Sequence, residues 1–298
     1  MDDAKLSPDP VLAGLIAKPF RVERPVRQTS PFVFASPHSG RLYPPSFVAA
    51  SRLTPLALRR SEDAFVDELF AGVVALGSPL IAAEFPRVYV DVNRAASELD
   101  GQMFDDGHSL DVEAPSPRVA AGLGVIPRVV RDGIEIYRDK LPGREAEERL
   151  ALLYRPYHAA LAMLVNETFA RFGAAVVVDC HSMPSGPPAA SVVFGDCYGA
   201  SAAHSLLRHA ESAFEANGFS TTRNAPYAGG YTTHLYARRD AGMHALQIEV
   251  SRALYLDEER IEASARFAEI RERLTAALAR LVQFDAAALR PRRPLAAE

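Results

Sequence analysis

The run AAVVVDCHSMP at residues 174–184 constrains the fold more than any other stretch. Apolar, mostly β-branched residues follow one another without the alternation of a half-exposed strand, so both faces of this strand must be covered. Such a strand belongs at the centre of a sheet with helices packed above and below. Residues 32–36, 190–196 and 244–255 read as further strands, and 79–94 as one or two, interrupted at Pro86. Between them, SEDAFVDELFAGVVAL (61–76) sets Phe65, Val66, Leu69, Phe70, Val73 and Val74 at helical spacing, with Ser61 suited to an N-cap. Residues 143–171, 201–218 and 257–283 carry further helical patterns. Residues 1–30, rich in proline and charge, are expected to be irregular, and 97–136 to form a long excursion rich in Asp, Gly and Pro. The expectation is an α/β fold: a mixed, largely parallel sheet flanked by helices, in one domain spanning 1–298.

At 298 residues, 48% hydrophobic and 23% charged, the chain has ample material for a core. Its net charge of −4, with scattered basic residues, argues against a nucleic-acid partner. No apolar run reaches the length of a membrane span, and MDDAKLSPDP is no signal peptide. Cys180 and Cys197 cannot make a disulfide framework, which points to a reducing compartment. A cytoplasmic protein without a membrane partner is expected.

In open α/β sheets, ligands bind beyond the carboxyl ends of the strands. There the sequence places His38, Arg87, Asn93, Arg94 and His181, and within the last strand Glu249. His38 and His181 each follow a buried run and precede a serine, in SPHSG and DCHSMP. Two imidazoles are too few for catalytic zinc, which takes three protein ligands. Asp63 and Glu62 are the nearest acidic candidates for the third. Glu249, among Leu246, Ile248 and Val250, is a buried carboxylate that needs a partner such as Arg252 or a role such as general base. Arg94 with Asn93 suits a carboxylate clamp, the competing role being an ion pair with Asp91 or Asp100. Gly229-Gly230 offers a close backbone approach. Cys180 lies inside an apolar run, pointing away from His181, and is no nucleophile.

Together, SPHSGRLYP, SEDAFVDELF, FPRVYVDVNR, PYH, DCHSMP, NAPYAGGYTTHLY and HALQIEVSRALY resemble the N-formylglutamate amidohydrolases, between residues 31 and 256. That family is similar to the zinc carboxypeptidases and aspartoacylases. The resemblance implies a three-layer, zinc-carboxypeptidase-like (phosphorylase/hydrolase-like) architecture and one Zn2+ held by His38, His181 and an acidic ligand. In the carboxypeptidases that ligand lies three residues after the first histidine, a position held here by Arg41, which cannot ligate; Asp63 takes its place. Glu249 is implied as the base and Asn93 with Arg94 as the carboxylate clamp. Arg87 is expected to face the oxyanion, and Gly230 to contact the substrate. Arg252 or Arg138 would supply a second cation for a dicarboxylate. The expected reaction is zinc-dependent hydrolysis of an N-acyl acidic amino acid, N-formyl-L-glutamate foremost, as a step of histidine breakdown. Two alternatives stand beside it. One is a carboxypeptidase-like zinc peptidase, disfavoured if the 97–136 segment closes the pocket; the other is a non-catalytic binder of acidic metabolites that lacks metal.

Overall fold

The computed structural model describes residues 9–105, 116–130, 133–186 and 190–290. Its seven-stranded sheet comprises β1 (Phe20–Glu23), β2 (Phe32–Ser36), β3 (Leu80–Ala83), β4 (Ala175–Met183), β5 (Val192–Gly195), β6 (Thr221–Arg223) and β7 (Met243–Ser251), in the order β1-β3-β2-β4-β7-β5-β6. The middle strands β3, β2, β4 and β7 run parallel, whereas β1 is antiparallel to β3 and β5 to β7. The mixed, largely parallel sheet therefore matches expectation, with 174–184 at its centre and every residue of β4 buried.

Side chains alternate across a strand, and that alternation divides the core. Val33, Ala35, Val177 and Ala245 face one side, against Tyr157, Leu161 and Leu164 of the helix Arg155–Phe172. Phe32, Phe34, Val178 and Ile248 face the other, against the helices His204–Glu215 and Phe267–Leu281. On the first side the apolar surface stops at Val177. The next residues of β4 facing that way are Asp179 and His181, whose register partners on β7 are Gln247 and Glu249. A sheet face thus turns from apolar to ionisable within one turn of the pleat.

Several boundaries differ from those expected. Residues 1–30 are not wholly irregular: Asp9 caps a helix at Pro10–Ala17 through bonds from Val11 and Leu12 N–H, and β1 closes one sheet edge. The helix expected over 61–76 is reduced to Val66–Phe70 with a 3-10 turn at Ala71–Val73. Tertiary bonds claim the backbone before it: Asp63 N–H donates to His38 O, Arg252 to Glu62 O and Tyr255 to Ala64 O. Phe65, at φ 62°, then turns the chain into the helix. Of 79–94 only Leu80–Ala83 is strand; after Pro86 the chain turns, and Asp91 N–H bonds Val125 O. The helical region after 143 widens into a π-turn at Leu150–Tyr154, just ahead of Pro156, whose ring nitrogen cannot donate. Residues 257–263 form a small hairpin, and the last long helix starts only at Phe267. No described helix is long and apolar enough to cross a membrane.

Candidate active site

β2 stops at Ser36 because Pro37 cannot extend a ladder, and the chain turns sharply to present His38. Gly40 makes the turn possible, since a Cβ there would lie 2.1 Å from Phe85 O. Asp63 reaches the same point from the loop before Val66, and His181 from the polar face of β4. The two imidazole centroids are 4.8 Å apart. Asp63 Oδ2 lies 2.9 Å from His181 Nδ1 and 3.3 Å from His38 Nδ1. One ligand atom from each of the three lies within 4.8 Å of the others, and all three residues are buried.

Behind the triad, each imidazole meets a carboxylate through its other nitrogen. His38 Nε2 is 2.7 Å from Asp91 Oδ1, and His181 Nε2 is 2.9 Å from Asp179 Oδ2. Those contacts favour a proton on each Nε2 and aim each Nδ1 at the centre, where a metal ion would take the place of the proton that His181 Nδ1 shares with Asp63 Oδ2. His38 Nδ1 has no hydrogen-bond partner although it is buried. Two imidazole nitrogens and a carboxylate oxygen suit a divalent cation such as zinc. The electrostatics agree. Burial opposes charge on His181, yet Asp179 and Asp63 outweigh it and hold its pKa well above the ordinary histidine value. Burial likewise opposes ionisation of Asp63, yet the two histidines hold its pKa well below the carboxylate range. The pocket favours net positive charge at its centre, which a metal ion would supply.

Glu249 stands beside His181 in register on β7. Burial pushes its carboxyl up to about 7. Its bond comes from Gln247 Nε2 at 2.8 Å; Arg252, its candidate partner, instead donates to Asp63 Oδ1 at 2.9 Å, to Glu62 O and to Ser182 Oγ. Glu62 itself points to Tyr43 and Arg59, away from the histidines. Arg87 donates to Asp91 Oδ2 at 2.8 Å, where burial and then Arg87 and His38 set Asp91's pKa, net well below the carboxylate range.

Arg94 pairs with neither Asp91 nor Asp100, the latter being held by Arg128. Its Nε donates to Leu123 O at 3.0 Å and its Nη1 to Asn93 O at 2.9 Å, leaving Nη2 without a partner among the described residues. Asn93 is engaged internally: Nδ2 donates to Asp179 Oδ2 at 3.2 Å, and Oδ1 accepts Thr232 N–H at 2.8 Å. Gly230 packs directly on that amide. Arg138 is not at the site; its Nε donates to Ser51 O, and it lines a separate surface hollow. His38, Asp63, Arg87, Asn93, Arg94, His181, Gly230, Glu249 and Arg252 all line one cleft of about 570 Å³. Leu123, Pro127 and Val129 from the 97–136 excursion contribute to its lining.

Three contributors, Asp179, Gln247 and His158, are not assigned by the sequence reading, and Asp91 is named there only as an arginine's partner, which it is to Arg87. Asp179 carried a signal, since in a strand the residue two before His181 shares its face. Gln247 bears the same relation to Glu249. Asp91 and His158 reach their places only through the tertiary fold. His158 supports the Asp91–Arg94 turn from behind, its Nε2 donating to Val92 O at 2.9 Å, while burial lowers its pKa to about 4 and keeps it neutral.

The N-formylglutamate amidohydrolase family model matches residues 30–256. The chain belongs to that family. N-formylglutamate amidohydrolase relatives agree along most of its length. A crystal structure of the N-formylglutamate amidohydrolase from Ralstonia eutropha JMP134 is 34% identical, with a TM-score of 0.85 over 91% of this chain and 99% of that one. An N-formylglutamate deformylase of Pseudomonas aeruginosa is 29% identical over 77% of this chain and 83% of its own length. The deformylase of Pseudomonas putida is 27% identical over 66% of this chain and 71% of its own.

Proposed function

We propose that the protein is a metal-dependent amidohydrolase that removes the formyl group of N-formyl-L-glutamate, releasing formate and glutamate. One observation carries the reading: His38, Asp63 and His181 converge beside a buried glutamate whose carboxyl is pushed up to about 7. A divalent ion, zinc by its donor set, would polarise the formyl carbonyl and acidify a water molecule. His38 and His181 would hold it through Nδ1, with Asp91 and Asp179 fixing their rings. Glu249 would accept the proton of the attacking water and pass it to the leaving amine, and a carboxyl near neutral pKa suits both transfers.

Arg87 would stabilise charge developing on the formyl oxygen, a contribution of roughly 3 kcal/mol by comparison with other oxyanion donors. Arg94 would bind the α-carboxylate, its plane fixed by Leu123 O and Asn93 O. Asn93 and Arg252 act as positioning residues, Asn93 on Asp179 and Arg252 on Asp63. Formate release from N-formyl-L-glutamate, compared with release of acetate and succinate from the matching analogues, tests the reading. Activity should vanish with a chelator and return with zinc. Equal turnover of the acetyl analogue would overturn the formyl assignment, and chelator-resistant activity would overturn the metal.

A further inference from the structure

Five arginines line the cleft against three carboxylates, Asp63, Asp91 and Glu249. Most of that positive charge is already committed. Arg252 is spent on Asp63 and backbone carbonyls, Arg87 on Asp91, and Arg94 is anchored by two carbonyls. Among the described residues, the side chains of Arg60 and Arg118 make no hydrogen bond or ion pair.

Arg118 lies on the same wall as Arg94. It sits on the short helix Pro117–Ala120, and Leu123, just beyond, accepts from Arg94 Nε. Glu98 pins this segment to the turn that follows Arg94. Its carboxylate accepts from Ala95 N–H at 3.0 Å and from Ser116 Oγ at 3.1 Å, and its carbonyl accepts Val125 N–H at 2.7 Å. Arg118 is therefore exposed at its tip but held at its base. It is also close enough to Arg94 to disfavour the charge there, after burial and together with Arg87. Three guanidiniums crowd one wall, with Asp91 the only carboxylate among the described residues bonded to any of them, and an anion would relieve the repulsion.

The three arginines are tied to the metal-ligand candidates through successively longer chains of bonds. Arg87 is joined to His38 through Asp91, Arg94 follows the Asn93 that shares Asp179 with His181, and Arg118 is tied in only through Leu123 and Glu98. A substrate with its formyl carbon at the triad has its α-carboxylate closer in and its side-chain carboxylate further out. We propose that Arg118 binds the side-chain carboxylate while Arg94 binds the α-carboxylate, which makes Arg118 the residue that selects acidic amino acids. The proposal rests on the amidohydrolase reading above and assigns its specificity.

The test compares N-formyl-L-glutamate with N-formyl-L-glutamine, a neutral substrate of almost the same shape. Arg118→Gln should raise KM for the glutamate substrate roughly 10- to 100-fold, the usual worth of a hydrogen bond to a charged group. Its kcat should change little, and N-formylglutamine should be hydrolysed as by the wild type. Arg118→Lys should recover part of the loss, and Arg60→Gln should leave the preference between the two substrates intact. Equal losses on both substrates in Arg118→Gln, or a glutamate-selective loss in Arg60→Gln, would overturn the assignment while leaving the reaction standing. A wild-type protein that releases formate from neither substrate would overturn the reaction, and this assignment with it.

Discussion

Alanine at Gly230 tests whether Asn93 joins the Gly-Gly turn to the metal-ligand candidates. Gly230 has φ −103° and ψ −164°, extended backbone that alanine adopts freely, so the substitution carries no backbone cost. The added Cβ, however, would lie 2.4 Å from Asn93 Nδ2 and 2.5 Å from Oδ1. Asn93 cannot step aside without loss, because its amide binds Asp179 on one end and Thr232 N–H on the other. Squeezing the methyl in costs about 1–3 kcal/mol. Displacing Asn93 instead strands a buried N–H, also at about 1–3 kcal/mol. Both routes converge on a loss of about 2 kcal/mol, or roughly 3 °C in melting temperature for a chain of this size. Activity should fall as well, since Asp179 then loses the bond that steadies it against His181.

A double-mutant cycle isolates the contact. Asn93→Ala alone is destabilising, but in its background the three atoms nearest a Cβ at 230 are gone. The pair should therefore cost less than the sum of the single mutants by at least about 1 kcal/mol. Thermal unfolding of the four proteins, with kcat beside it, measures the coupling. Strict additivity would show that Gly230 and Asn93 act independently and would refute the reasoning.

Three further expectations follow from the same geometry. His38→Ala, His181→Ala and Asp63→Ala should each stay folded and lose the bound divalent ion, whereas Glu62→Ala should keep it; metal analysis of the purified variants decides, and retention in Asp63→Ala would move the acidic ligand elsewhere. Glu249→Gln should retain metal while kcat drops by roughly 10²–10⁴. In chelated protein the same variant reports on linkage. Because the native carboxyl, near 7, binds its proton more tightly than an unfolded one near 4.5, wild-type stability should fall as pH rises between those values, and Glu249→Gln should abolish that fall, worth about 3 kcal/mol; parallel pH profiles would refute it. Arg94→Lys keeps the charge but loses the planar fork, so KM for N-formyl-L-glutamate should rise while an α-amidated analogue is affected little, and equal effects would make Arg94 a structural residue.

The sheet was readable because its signal is local. A run such as Ala175–Val178 must be covered on both faces wherever it sits, and the turn to Asp179 and His181 on one face follows from a period of two. The Val-Tyr-Val stretch at 88–90 misled by the same rule. Alternation alone cannot reveal that Pro86 ends the ladder or that Asp91 N–H finds Val125 O rather than a neighbouring strand. Asp63 was placed on a helix by its acidic surroundings, but Arg252, His38 and Tyr255 take the backbone groups around it, and the helix begins only at Val66.

That displacement has a consequence for the chemistry. A carboxylate in a helical first turn is free to swing with its rotamer, whereas Asp63 is held at Oδ1 by Arg252 and presents Oδ2 between two imidazoles. Each histidine in turn is steadied from behind by a carboxylate, and those carboxylates by Arg87 and Asn93. The residues expected to touch substrate are thus partly occupied in aiming the ligand candidates. Asn93 and Arg252 read as substrate contacts because an amide and a guanidinium at a cleft suit an anion; the partners they have already taken are what favour the positioning role proposed for them. Among the described residues Arg60 and Arg118 keep side chains without a partner and Arg94 keeps its Nη2; of these, Arg118 is linked to Arg94 through Leu123, and on the proposed reading that pair meets the two carboxylates of the substrate.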